Sequence, residues 1–288
     1  MTDAAAPDRL AGAYDAAEAI VRDADRDRWL ADLFVPADKR RHVAALQAFS
    51  SEIARVRETV REPLPGEVRL QWWRDALEGH GHGDVEGHPA AAALIDTVRR
   101  FSLPLAPLVG LIDARTFDLY DDPMPSLLDL EGYAGETASV LFQAAALVLC
   151  DGEDPKAADA AGHAGVAYAI TGLLRALPIH ARRGQVFVPA DVLARHGAGP
   201  DDIRAAKPTP AVEGALAEMR EHARHHLARA MAALDRVDRR ALPAFVPLAL
   251  VEPYLNALER QRDPFAAVAD VASWRKPVLL WRFARRLR

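Results

Sequence analysis

Apolar residues recur every three or four positions through most of the chain, and this period constrains the fold more than any other feature. Between Asp38 and Val60 they fall at Val43, Leu46, Phe49, Ile53 and Val56, which is one stripe of a helix. A second helix is predicted over GEVRLQWWRDALEG, with Pro65 near its start and Gly79 closing it. The stretch SLLDLEGYAGETASVLFQAAALVLC is long and apolar and should be central. AADAAGHAGVAYAITGLLRAL should be another helix, stopped by Pro178, whose Gly162, Gly165, Ala169 and Gly172 would let a neighbour approach closely. TPAVEGALAEMREHARHHLARAMAALDRV reads as a long amphipathic helix. No run of alternating residues suggests a sheet, and QVFVP is too short to build one. The expectation is an all-α fold of antiparallel helices in a single domain over residues 1–288.

Composition narrows the function. Half of the residues are hydrophobic, enough for a sizeable core. The formal net charge of −5 argues against nucleic acid as a partner. The single cysteine, Cys150, excludes an internal disulfide framework and suits a reducing compartment. It lies in an apolar run, so a small core residue is the expectation rather than a nucleophile. No charged start followed by an apolar run marks a signal peptide. No uncharged apolar stretch of about 18 residues is long enough to span a membrane.

Histidines occur in two groups. His80, His82 and His88 lie among glycines in EGHGHGDVEGHP, and a flexible loop is the expected reading. His222, His225 and His226 lie on the long amphipathic helix, where only His222 and His226, four apart, share a face. No glutamate completes an HExxH pattern there, so zinc is not expected.

Three stretches together carry a resemblance: ALQAFSSEIARVRE (Ala45 to Glu58), RLQWWRDAL (Arg69 to Leu77) and GVAYAITGLLRALPIHARRGQVFVPADVLARHG (Gly165 to Gly197). They resemble the squalene/phytoene synthase family, all-α isoprenoid synthases of the head-to-head type. The resemblance runs from about Arg26 to about Gly199. It implies an isoprenoid-synthase-like helical bundle with a central cavity. In that family two facing Asp-rich motifs hold magnesium, which neutralises a departing diphosphate. Matched residue by residue, the first motif's leading aspartate falls on Ala54, the adjacent acid on Arg55 and the closing aspartate on Glu58. In the second motif the leading acid falls on Ala176, the middle one on Ile179 and the closing one on His180. The usual Gln and Asn of that helix become Ala169 and Gly172. Arg55 adds a permanent cation with a Coulomb penalty of several kcal/mol against a bound metal.

Arg175, Arg182, Arg183 and Gly184 match the family pattern while the acids do not, so a pseudoenzyme on this scaffold is expected. EIARVRE and LRALPIHARR look like the mitochondrial complex I assembly-factor subgroup and its alphaproteobacterial relatives. That likeness implies a non-catalytic role in building respiratory complex I, with its subunits or assembly proteins as partners. The alternatives are a prenyl transferase joining two prenyl diphosphates, the one case in which magnesium is expected as cofactor, and a carrier of isoprenoid diphosphate or lipid. Arg55, Glu58, Arg175, His180, Arg182 and Arg183 are the candidate ligand-binding residues of a basic cavity, since guanidinium groups grip phosphate without metal. Against this, Arg55 could simply pair with Glu52 or Glu58, and His180 could be structural.

The last fifteen residues, WRKPVLLWRFARRLR, hold six cations and no acid. Residues 274–288 are therefore expected to form a basic amphipathic tail, opened by Pro277. One reading lays its apolar side in an anionic membrane surface. The other docks Leu280, Phe283 and Leu287 on the domain. The protein is expected in the cytoplasm, and the first reading would place it peripherally at the inner membrane.

Overall fold

The computed structural model describes residues 5–287, with side chains from residue 9 onward. The regular secondary structure of the described residues is helix alone, joined by loops, with no strand among them. In chain order the helices are α1 (Ala5–Ala24), α2 (Arg26–Asp32), α3 (Ala37–Ala54), α4 (Val56–Thr59), α5 (Pro63–Glu78), α6 (Pro89–Phe101) and α7 (Leu105–Arg115). They continue as α8 (Leu127–Ala134), α9 (Val140–Leu149), α10 (Ala158–Arg175), α11 (Leu177–Arg182), α12 (Ala190–Arg195) and α13 (Pro200–Arg204). The last three are α14 (Pro210–Ala233), α15 (Val251–Glu259) and α16 (Arg275–Leu287).

Local signals set the helix ends. The Asp25 carboxylate accepts from Arg28 N at 3.0 Å and caps α2. Thr209 and Ser126 do the same for α14 and α8. Gly79 closes α5 in the left-handed conformation, φ 81°. The stripe predicted from Asp38 to Val60 breaks at Arg55, where α3 hands over to α4. Pro178 does not stop α10. That helix ends at Arg175, and Pro178 sits in the first turn of α11, where its missing N–H costs nothing.

The core is built around α3, α9 and α10. α3 packs on α1, α6 and α9, and α10 packs on α9, α14 and α15. Phe49, Leu46, Ile53, Ile170 and Phe245 are fully buried among them. Trp73 is also buried and meets Phe49 edge-on at 5.3 Å. Cys150 is buried and free.

Between α8 and α9 the helix widens into one π turn, Gly135–Ser139. Ser139 Oγ donates to Gly162 O at 2.8 Å, tying that turn to α10. Gly165 is what permits the approach, because a Cβ there would overlap the backbone and side chain of Ser139. Gly162 and Gly172 face open space instead.

Two apolar segments bear on the question of a membrane. The stretch Arg239–Glu259, a 3₁₀ helix running into α15, is long and apolar enough to cross a membrane, with mean hydropathy 1.4. Phe245, Val246, Leu248 and Leu255 of it are nevertheless buried within the protein. The tail forms α16 and docks: Leu280 and Ala284 pack with Ala31, Val246 and Leu250. Phe283 and Leu287 are half-buried against the core, while Trp274, Val278 and Trp281 are exposed. Arg288 lies outside the described residues.

Candidate functional site

Two adjoining cavities open beside α10. The central one, about 290 Å³, is bounded by α2, the end of α3, the π turn and α10. The second, about 370 Å³, lies between α2, α10, α15 and the start of α16. Asp25, Tyr168 and Gly172 line both. Gly172 keeps this junction open, because it offers no side chain to fill it.

The central cavity is predominantly cationic. Arg28, Arg55 and Arg115 line it against a single carboxylate, Asp25. Arg28 pairs with Asp25 at 3.5 Å and lies over the Tyr168 ring, 4.9 Å from its centroid. Arg115 donates to Asp118 at 2.8 Å and to the Tyr133 hydroxyl at 2.7 Å. Burial pushes the Tyr133 and Tyr168 hydroxyls well above the ordinary phenol range, so both stay neutral. Arg55 is the least committed cation. Its side chain is 57% exposed and reaches Glu52 only at 3.8 Å, a weak surface pair.

The second cavity is closer to balanced. Arg175 stacks over Tyr254, 3.5 Å from the ring centroid, and lies 3.8 Å from Asp27 and 3.7 Å from Asp270. Lys276, from α16, bridges the same two acids at 3.0 and 2.9 Å. The docked tail thus closes one wall of this cavity with an ion network.

The six residues singled out from the sequence do not converge. Arg55 lines the central cavity and Arg175 the second. Glu58 pairs with Arg183 at 3.0 Å, both about half exposed. Arg182 is exposed and donates to Pro178 O at 2.9 Å. His180 faces a small apolar pocket with Leu130, Leu174 and Phe187, its ring 4.6 Å from that of Phe187. Burial, with Arg183 and Arg115 adding, pushes its imidazole down to about 4.

Arg28, Arg115, Asp25, Tyr133 and Tyr168 were not found from the sequence. They come from four separate segments, and no spacing links residues so far apart in the chain. Tyr133 and Tyr168 sit within stretches read as central helices, but nothing in a helical period distinguishes a cavity wall from core.

The chemistry available follows from these donors. A magnesium cluster needs several hard oxygen ligands around each ion. The central cavity supplies one carboxylate, already opposite Arg28, among three guanidinium groups. The residues present do not fit a magnesium cluster. They suit an anion with phosphate-like geometry, which guanidinium forks hold directly.

The squalene/phytoene synthase family profile matches residues 21–282. A rat protein named NADH dehydrogenase (ubiquinone) complex I, assembly factor 6 is 34% identical over 241 residues, covering 84% of this chain and 72% of that one. A dehydrosqualene synthase solved with a ligand superposes with TM-score 0.81 at 18% identity, over 96% of this chain and 97% of that one. A squalene synthase from Alicyclobacillus acidocaldarius gives 0.73 at 22% identity, over 88% and 95%.

Proposed function

The chain belongs to the squalene/phytoene synthase family, and from that premise we propose that it is a non-catalytic member acting in the assembly of respiratory complex I. The observation that carries this reading is the donor set of the central cavity. Ala54 and Arg55, matched in the sequence to the leading acids of the first metal motif, line it, with Ala169 and Gly172 among the α10 residues opposite. Ala176 and His180, matched to the second motif, contribute no carboxylate. The name of the rat relative supports the choice of partner. Complex I is embedded in a membrane, so a peripheral position at the cytoplasmic side of the inner membrane belongs to the same proposal.

The test is genetic. Cells lacking the gene should show less assembled complex I on native gels and less NADH:quinone oxidoreductase activity in their membranes, with both restored by the wild-type chain. Unchanged complex I in the deletion would end this reading.

The cationic cavity favours one further reading, the carrier of an isoprenoid diphosphate. Calorimetry with farnesyl diphosphate in the absence of magnesium addresses it. Binding that weakens at least tenfold in Arg55→Ala would support a carrier, and no binding by the wild type would exclude it.

A further inference from the structure

Away from both cavities, two histidines of α14 meet one carboxylate of α8, with a third histidine, on α10, behind them. On α14, His222 and His226 stand four apart and share a face. Each turns its Nε2 toward the same oxygen, Oε1 of Glu131 on α8, at 2.6 and 3.3 Å. The three ligand atoms lie within 4.8 Å of one another. On the far side of the His226 ring, its Nδ1 lies 3.0 Å from Nδ1 of His163 on α10. The other nitrogen of His163 reaches toward Asp159, 3.7 Å away.

We propose that Glu131, His222 and His226 form a binding site for a zinc-class divalent metal ion. Two imidazole nitrogens and one carboxylate oxygen are a common three-ligand set for zinc, with the fourth position left to water or an incoming donor. Zinc held at about 2.1 Å by tetrahedral ligands sets those ligands about 3.4 Å apart. His226 is already at that distance from Glu131, the His222 contact would lengthen by about 0.8 Å, and the two imidazole nitrogens, within 4.8 Å of each other, would settle to the same spacing by side-chain rotation. Imidazole ligands select a transition metal over magnesium or calcium.

The outer contacts fit the same role. A metal-bound His226 coordinates through Nε2, so its Nδ1 carries the proton and donates to His163. His163 then holds its own proton on Nε2, facing Asp159. This is the relay of outer hydrogen bonds that orients a ligating histidine. His225, the intervening histidine, is exposed and stands outside the ligand group. The bound metal would pin α8, which carries Tyr133 of the central cavity, to α14.

Zinc is not expected from the sequence because His222 and His226 lack the intervening glutamate of an HExxH pattern. Glu131 supplies that carboxylate from 91 residues away.

The test uses full-length protein with His80→Ser and His82→Ser, which removes the exposed loop histidines as a competing site. After dialysis against zinc, elemental analysis should find one zinc per chain, and competition with a chelator gives its affinity. His222→Gln and Glu131→Gln should each weaken binding at least about 100-fold. His163→Ala should weaken it about 10- to 100-fold through the outer contact. His225→Ala should leave it unchanged. Circular dichroism checks that each variant is folded. Cobalt gives a readout independent of stability: the intense visible bands of tetrahedral cobalt should form in the parent and not in folded His222→Gln. Loss of zinc binding on removing His80 and His82 alone, equal binding by folded His222→Gln, or a pale octahedral cobalt spectrum in the parent would each overturn the proposal.

Discussion

His180 shows how far one position can depart from what its neighbours suggest. In the chain it precedes a cationic pair. In the fold its ring packs on Phe187 and a group of leucines. Its folded pKa of about 4 lies below the unfolded value near 6.5. Its contribution to stability is therefore full above pH 6.5 and is lost as pH falls through 4. His42 is depressed to about 4 as well, chiefly by burial, and adds to the same acid loss. Replacing His180 by Leu removes one of the two titrations. The melting temperature of His180→Leu should therefore fall less than that of the wild type between pH 7 and pH 4.5. Parallel decline of the two proteins would mean that the ring is solvated in the folded state. Nothing local marks His180 as apolar, because its burial comes from Leu130 and Phe187 in other segments.

At the scale of elements, the small residues of α10 divide into two functions. Gly165 makes room for the π turn, and Gly172 leaves the cavity junction open. Gly165→Ala should cost about 1–3 kcal/mol, as overpacking against backbone does. Gly172→Ala should be neutral or stabilise by up to about 1 kcal/mol, since Ala is the better helix former. Chemical denaturation of the two variants measures both. An equal effect would show that the helices are not packed as described. The sequence reading grouped these glycines as a single close-approach stripe. The period alone could not separate a residue touching a neighbour from one beside a void.

α16 presents the same ambiguity at a helix face. Its spacing identified Leu280, Phe283 and Leu287 as one side but could not say whether lipid or protein receives it. Protein does, with Leu280 fully buried, while Trp274, Val278 and Trp281 stay outside with Arg285 over the Trp281 ring. The proposed membrane contact therefore rests on the outer face alone. A chain cut after Ser273 would uncover buried apolar surface, so point variants are the cleaner test. The wild type should pellet with anionic vesicles and less so in high salt. Trp274→Ser with Trp281→Ser should stay in solution while keeping the wild-type melting temperature. Equal pelleting by both would remove this face from the membrane.

For the whole molecule, the fold was the most legible level. Helical period, caps and prolines are local signals, and they placed most of the long helices within a few residues of where they stand. The family stretches added the expectation of a central cavity between α3 and α10. The walls of that cavity were far less legible. Arg28, Arg115 and Tyr133 meet only because the bundle brings α2, α7 and α8 to the same point. What the assembled cavity offers is positive charge and hydroxyl groups with one carboxylate, an environment able to hold a diphosphate and poorly suited to assist its departure. The direct measurement is a turnover assay: purified protein with farnesyl and geranylgeranyl diphosphates and magnesium, followed for head-to-head product and released diphosphate. Neither product nor diphosphate should rise above the protein-free control, and turnover at ordinary enzyme rates, of about 1 per second or more, would contradict a non-catalytic role.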